Sequence, residues 1–416
     1  MTANAVPASI DLKDPAVQQC PYPHYARLRQ EAPVSFMENL GVYYVASYEL
    51  GRKILIDSKR FGKGTQGGDG RRYIEPHPAA KALLAEKDFG LPMSMMSNRD
   101  GVEHRKGRSI LDSYFQAGTV RQMADYVTET AEDLLDRLEG KDEVEVVADF
   151  AIPLPVYVIA DLMGIPRSEY KTFKRWSDGV VTYLAMSVPE KESIEGAEAM
   201  LEMHQYMVAE VHKRRKEPRG DLLTTLAQGL YDGRLLTDHE ICGFTDEILV
   251  AGNETTTSTI AFGLLEIARN PKLQAMLRAT PDMIPQFVEE TLRVSSPLQV
   301  TLRRTLVDVN VGGIDIPAGS KIYIGLGSAN HDECAFADPD NVHPEREPDK
   351  IHVTFGAGVH HCLGAELARL ELRTAFALWL KRFSHIELAQ PADSIVYPAS
   401  YAIRGPTAVR LKVTPA

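Results

Sequence analysis

Apolar and polar positions alternate through residues 300–326, around Gly312-Gly313 and Pro317-Ala318-Gly319, so this stretch reads as short strands joined by turns. A second stretch, PVSFMENLGVYYVAS at 33–47, predicts two strands that turn near Asn39-Leu40-Gly41. Before it lies an irregular lead with Pro15, Pro21 and Pro23, then a short helix near Tyr25–Glu31. Residues 62–75, rich in glycine and charge, read as a loop. Helical periodicity dominates residues 102–295, with breaks expected at Pro153, Pro155, Pro166, Pro189 and Pro218. It returns in LGAELARLELRTAFALWLKRF, an amphipathic run over 363–383. With β-rich portions near 33–60, 300–326 and 385–416, the expectation is one domain over residues 1–416, mainly α with small β-sheets (α+β).

One helix is unusually long. Thr237-Asp238-His239-Glu240 fits a capping box, a hydroxyl at the cap and a carboxylate three residues later, and Asn270-Pro271 stops the run. About 30 residues at 1.5 Å rise make a rod of ~45–50 Å. Within it, LVAGNETTTSTIAFG places Gly252, Asn253, Glu254 and the hydroxyl run Thr255 to Ser258 where a core helix favours apolar side chains. Pattern alone leaves two readings open. One is a polar helix face. The other is a distorted turn beside a cofactor, with Thr255 bonding back to the carbonyl of Ala251.

Charge and cysteine content narrow the function. The net charge of −11, with no basic block, disfavours binding to a phosphate backbone. Cys20, Cys242, Cys334 and Cys362 are few and widely spaced, which points to a reducing compartment rather than a disulfide scaffold. No apolar segment reaches the about 18 residues a membrane span needs, and the N-terminal stretch has no signal-like run. A cytoplasmic protein is expected, with no nucleic-acid or membrane partner.

The densest candidate chemistry is FGAGVHHCLGAELARLE, Phe355 to Glu371. Cys362 stands between a glycine-punctuated loop and a helix start, where the helix dipole favours thiolate and glycines let backbone N–H groups approach the sulfur. Three alternatives compete: a packed inert cysteine, a zinc site using His352, His360, His361 and Cys362, and a nucleophile paired with a histidine. The zinc spacing is poor, because His361 and Cys362 are adjacent and no Cys-x-x-Cys pair exists. Sequence cannot place a base beside a nucleophile.

FGAGVHHCLG resembles the haem-binding loop of the cytochrome P-450 superfamily, Phe-Gly-x-Gly-x-His-x-Cys-x-Gly, at Phe355, Gly356, Gly358, His360, Cys362 and Gly364. Ala365 and Ala368-Arg369-x-Glu371 are similar to the soluble bacterial branch. The resemblance implies haem b (iron protoporphyrin IX), with Cys362 as the axial thiolate of its iron. It also implies a triangular helical prism with the long central helix over the haem. AGNET at 251–255 resembles the oxygen-activation motif, with Glu254 the acid and Thr255 the alcohol. DGVEHRKGR at 100–108 resembles the helix that presents His104 and Arg108 to the haem propionates, and RRTLVDVNVGGIDIPAG the strand that presents Arg303, five before Asp308. His360 is a further propionate ligand in many relatives, and His352 is read as structural.

EETLR at 289–293 resembles the family's Glu-x-x-Arg pair, Glu290 and Arg293, which implies a structural lock near the haem loop. Helical periodicity gives a different expectation. Ile284, Phe287, Val288 and Leu292 form an apolar face with Glu290 and Arg293 opposite, as in a solvated ion pair worth a few tenths of a kcal/mol.

The resemblance covers roughly residues 15–412 and implies a monooxygenase that inserts one oxygen atom of O2 into a small apolar substrate, by hydroxylation or O-dealkylation. A terpenoid, steroid or aromatic compound is favoured. A fatty acid, an H2O2-driven peroxygenase and a haem-based sensor are the alternatives. By family position the pocket draws on Met95, Val250, Ala251, Leu298, Gln299, Thr301, Tyr401 and Ala402, with Pro92 to Met96 in a variable region whose methionines could form an adaptable apolar wall. Arg71 and Arg72 leave a carboxylate clamp open. No fused flavin or iron–sulfur region is expected from the scattered cysteines, so a separate ferredoxin and an NAD(P)H-dependent ferredoxin reductase are implied; a monomer is also expected. Arg105, Lys106 and His361 are candidate contacts for that ferredoxin.

Overall fold

The capping box after Leu236 forms as its spacing requires. The Thr237 amide donates to Glu240 Oε2 at 2.8 Å, and the Glu240 amide donates to Thr237 Oγ1 at 3.3 Å. Arg234 grips the same carboxylate with two nitrogens, at 2.8 and 2.9 Å. From this start the computed structural model runs one helix through Asp238–Arg269, 32 residues. Asn270 ends it and caps the next helix, Pro271–Ala279, by accepting the Leu273 amide at 3.1 Å. The structure describes residues 10–63, 77–85, 93–184, 189–347 and 350–416. Most of the glycine-rich loop, including Arg71 and Arg72, and Pro92 lie outside the described residues.

The distorted turn considered for LVAGNETTT is not what forms, since the helix is α-helical throughout. Two hydroxyls on this helix find acceptors without opening the ladder. Thr257 Oγ1 donates to the Ala151 carbonyl at 3.0 Å, and Thr259 Oγ1 to the carbonyl of Thr255 at 2.9 Å.

The chain divides into two compact units. The first comprises Met1–Gly62, Ala124–Leu154 and Thr255–Ala416. Its five-stranded sheet carries the expected hairpin, Val34–Met37 with Val42–Val45, then Lys321–Gly325, Val300–Thr305 and Phe61–Gly62 in that spatial order. Lys321–Gly325 runs parallel to Val42–Val45 and antiparallel to Val300–Thr305. The Gly312-Gly313 turn joins Val309–Val311 to Ile314–Ile316, and both glycines take positive φ, 59° and 88°. Phe383–Leu388 and Arg410–Pro415 pair in a second sheet with Glu143–Glu145.

One stretch expected to be β-rich departs from that expectation. Tyr48–Ile56 is a helix. Its first amide is satisfied by Asp332 Oδ2 at 2.8 Å, a partner 284 residues away, so no local signal announces the start. Tyr48, Ile54 and Leu55 pack with Val45, Ile322, Ile324, Leu326 and Val353 in one buried cluster, each fully buried aliphatic contributing about 1.5–3 kcal/mol.

The second unit comprises Lys63–Met123 and Pro155–Glu254. Its helices Tyr170–Leu184 and Glu190–Lys216 approach closely at Gly179 and Gly196. A Cβ on Gly179 would stand 2.6 Å from Ala199 Cβ and 3.0 Å from the Gly196 carbonyl. His204, on the second of these helices, meets Asp246 of the long helix at 2.8 Å, both fully buried. The break expected at Pro153 falls where the helical segment Val147–Ala151 ends and helix Pro153–Leu162 begins, with Pro155 tolerated in that helix's first turn because the missing N–H is an unused donor there. No helix among the described residues is long and apolar enough to cross a membrane.

Thr237→Ala should cost about 1 kcal/mol, the usual loss of an N-cap hydroxyl. Urea unfolding followed by far-UV circular dichroism measures it, and the Glu240–Arg234 pair is expected to keep the helix start in place.

Candidate active site

In the first unit the loop from Phe355 to Cys362 is shaped by backbone before any side chain is considered. Gly356 and Gly358 take φ of 69° and 72°, a region that favours glycine. At Gly358 a Cβ would lie 2.7 Å from the Leu55 carbonyl oxygen and 2.9 Å from Ile56 Cα, so the loop rests directly on helix Tyr48–Ile56. The Cys362 amide donates to the Phe355 carbonyl at 2.9 Å, closing the loop. Helix Ala365–Arg382 begins three residues beyond the cysteine, with Gly364 as its cap. Cys362 is exposed and His360 half-buried. Among the described residues no cluster of three or more His, Cys, Asp or Glu could hold a metal ion, so the zinc alternative has no site.

The lock behind this loop corrects the periodicity-based expectation. Arg293 is 1% exposed and Glu290 7%. Arg293 Nε and Nη2 donate to the two Glu290 oxygens at 2.8 and 2.9 Å. Its Nη1 donates to the carbonyls of Asn330, at 2.9 Å, and Pro339, and its Nη2 to that of Asn341 at 2.8 Å. Glu290 also accepts the His343 amide and Arg346 Nε, each at 3.1 Å. Burial pushes the Glu290 carboxyl up, but the Arg293 hydrogen bonds and charge hold it below its ordinary value. Segments 330–346 cover the polar side of helix Ile284–Ser295, which the helical moment treats as solvent-facing.

Asn330 carries the lock onward. Its Oδ1 accepts the Val353 amide at 2.8 Å and its Nδ2 donates to Thr354 Oγ1 at 2.8 Å, immediately before Phe355. A second brace joins the same helix to the loop. Arg369 donates to both Glu289 oxygens, at 2.7 and 3.0 Å, and stacks over the Phe355 ring at 4.7 Å. His352 Nε2 lies 3.1 Å from Glu289, which gives it the structural place expected. Burial works against the Glu289 charge, yet the hydrogen bonds from His352 and Arg369 bring its pKa down to about 2. Sequence reasoning missed Glu289 and Asn330. The available signal was the doubled acid Glu289-Glu290, of which the family pattern uses only the second.

Arg303 is buried, 2% exposed, on strand Val300–Thr305, and its Nη1 donates to the Leu302 carbonyl at 3.0 Å. One soft sulfur with a buried guanidinium and an imidazole, Cys362, Arg303 and His360, is a donor set that fits an iron porphyrin bearing carboxylates. Thr255 opens the part of the long helix that belongs to this unit. Of the pocket candidates here, Leu298, Thr301 and Ala402 are half-buried. Gln299 is buried and its Nε2 donates to the Ser296 carbonyl at 2.7 Å. Tyr401 packs with Ile10, Leu12, Val17 and Tyr25 in a separate core cluster. These two side chains are therefore committed to the interior of the unit.

In the second unit His104 and Arg108 lie one turn apart on helix Gly101–Leu111, the first buried and the second half-buried in an ion pair with Asp112 at 2.9 Å. Glu254 is half-buried, and desolvation raises its carboxyl above the ordinary value. Val250 is half-buried and Ala251 exposed one turn earlier, while Met95 is fully buried. Lys106, a docking candidate, sits between Glu103 and Asp232 at 2.7 and 2.6 Å, which offsets its charge; Arg105 is exposed.

The family model described as Cytochrome P450 matches residues 81–284 and 280–400. Cytochrome P450 107B1 of Saccharopolyspora erythraea is 34% identical over 414 residues, covering 97% of this chain and 98% of its own. Among solved structures, CYP109Q5 of Chondromyces apiculatus matches with a TM-score of 0.84 at 32% identity, over 98% of this chain and 99% of its own. CYP109E1 of Bacillus megaterium, solved in complex with testosterone, matches with a TM-score of 0.81 at 28% identity, over 94% and 99%. The chain belongs to the cytochrome P450 family, oxidoreductases of the monooxygenase class whose cofactor is haem b. The expected fold, mainly α with small sheets, is the family's.

Arg293→Ala leaves Glu290 only Arg346 and the His343 amide, strands the carbonyls of Asn330, Pro339 and Asn341, and should cost about 3–5 kcal/mol in denaturant unfolding. Arg293→Lys keeps the charge but loses the fork and should cost about 1–3 kcal/mol. Losses below about 1 kcal/mol for both, the range of an exposed pair, would remove the lock.

Proposed function

We propose that this chain is a haem-thiolate monooxygenase that hydroxylates or O-dealkylates a small neutral apolar compound of the terpenoid, steroid or aromatic class. The observation that carries the reading is the Cys362 loop: an exposed sulfur three residues ahead of a helix, on a backbone shaped by two positive-φ glycines and braced by two buried or half-buried arginines. Haem b, once bound, supplies the oxygen-activating chemistry; the rest falls to side chains. Cys362 would hold the iron, with Phe355 and Gly356 in the same loop. His104, Arg108, Arg303 and His360 would pair with the propionates. The Thr255 hydroxyl holds a water by hydrogen bonds, and Glu254 passes protons to it. A carboxyl raised by desolvation takes up a proton more readily than a solvated one, which suits a relay.

Electrons come from a separate ferredoxin with its NAD(P)H-dependent reductase, and the protein works as a cytoplasmic monomer. The neutral-substrate class is supported by the testosterone bound to CYP109E1 and by the half-buried apolar side chain of Val250. The pocket proposed is narrower than family position implies, since Gln299 and Tyr401 turn into the core.

A panel containing testosterone and a long-chain fatty acid, scored by the low-to-high-spin Soret shift, tests the class. A shift with the steroid and none with the acid is expected, and the reverse would move the assignment to fatty acids. Thr255→Ala should keep consuming NAD(P)H while releasing H2O2 in place of product, and unchanged product per NAD(P)H would refute its role. Glu254→Gln should slow turnover with a larger solvent isotope effect. An unchanged rate removes it from the relay, and full activity with H2O2 alone would favour a peroxygenase.

A further inference from the structure

Glu247 is a buried carboxylate, 9% exposed, that no part of the proposed chemistry uses. It belongs to Thr245-Asp246-Glu247, three consecutive polar residues that are all buried inside an otherwise apolar stretch of the long helix. Its two oxygens are surrounded by donors from one turn of chain. Oε2 accepts the Met95 amide at 3.2 Å and the Met96 amide at 2.9 Å. Oε1 accepts the Ser97 amide at 2.9 Å and the hydroxyls of Ser94 and Ser97. Three backbone N–H groups and two hydroxyls thus converge on one carboxylate, and removing it would strand those that stay buried at about 1–3 kcal/mol each.

The neighbourhood is built to admit this turn. One helical turn before Glu247, Gly243 leaves room for it: a Cβ there would lie 2.6 Å from the Met93 carbonyl and 2.9 Å from Met95 Cγ. On the other side a Cβ at Gly107 would lie 2.2 Å from the Met95 carbonyl. Arg99 Nε donates to the Ser94 carbonyl at 2.6 Å and is itself tied through Tyr231 to Glu103. Met95 is the wedge, with no exposed surface, whereas Met93 and Met96 remain half-buried.

We propose that Glu247 is a specificity-determining positioning residue: its carboxylate fixes the Ser94–Ser97 turn so that Met93 and Met96 form a stationary wall of the substrate cavity, with Met95 as their anchor. This rests on the reading above that the segment borders the substrate. A methionine wall on a mobile turn adapts to many shapes, whereas one on a fixed turn selects among them. Both Glu247 oxygens are occupied by this turn, so its role runs through the turn.

The test uses the haem-loaded enzyme and its Glu247→Leu and Glu247→Gln variants. Hydrogen–deuterium exchange of the Met95, Met96 and Ser97 amides should speed up by about tenfold or more in Glu247→Leu and by less in Glu247→Gln, which keeps one acceptor oxygen. Imidazole and 4-phenylimidazole, read by the Soret red shift of a nitrogen ligand, separate the iron from the wall. The phenyl compound should lose about tenfold in affinity in Glu247→Leu, and imidazole less than about twofold. Unchanged exchange overturns the proposal. So does faster exchange with both affinities unchanged, because the turn then does not border the cavity, and so does an equal loss for both ligands, which marks general damage. If Glu247→Leu does not fold, Glu247→Gln carries the same readouts at smaller amplitude. Wild-type protein that gives no imidazole shift would fail the haem reading itself, a result distinct from all of these.

Discussion

A guanidinium can be taken out of water only if its donors are met, and Arg293 meets that condition with one carboxylate and three backbone carbonyls. The carbonyls belong to Asn330, Pro339 and Asn341, so a single side chain ties helix Ile284–Ser295 to the irregular segment that covers it. Through Asn330 the constraint reaches Val353 and Thr354, and from there the loop that ends in Cys362. Glu289 and Arg369 brace the same loop from the adjacent position on the helix. The loop's glycine backbone gives it its shape, and the buried charges behind it fix where that shape sits.

The second unit uses the same device at Glu247, where one buried carboxylate collects the donors of a turn that could not otherwise bury them. In both places a charged group organises irregular chain. Helices and strands satisfy their own backbone, but the loops that carry chemistry do not, and a buried ion with several donors or acceptors gives them a fixed shape.

Features with local causes were legible in the sequence. The Thr237–Glu240 box, the turn at Gly312-Gly313 and the hairpin at 34–45 are each specified within a few residues, and each formed. The loop from Phe355 to Cys362 stood out because its glycines and cysteine form a dense pattern. Features with distant partners were not. Helix Tyr48–Ile56 starts on Asp332, the polar side of helix Ile284–Ser295 is covered by residues 330–346, and Tyr401 turns inward to meet the N-terminal segment. Periodicity assigns a side to solvent whenever that side is polar, and it cannot see a loop that returns dozens of residues later to cover it.

The bond from Cys362 to a porphyrin iron is the claim on which the functional reading rests. The direct measurement is the absorption spectrum of the reduced protein under carbon monoxide, wild type beside Cys362→Ser. The wild type should show the strongly red-shifted Soret band of a thiolate-ligated haem, and the variant should lose it. A variant that keeps the band, or a wild type that binds haem without it, would contradict the assignment.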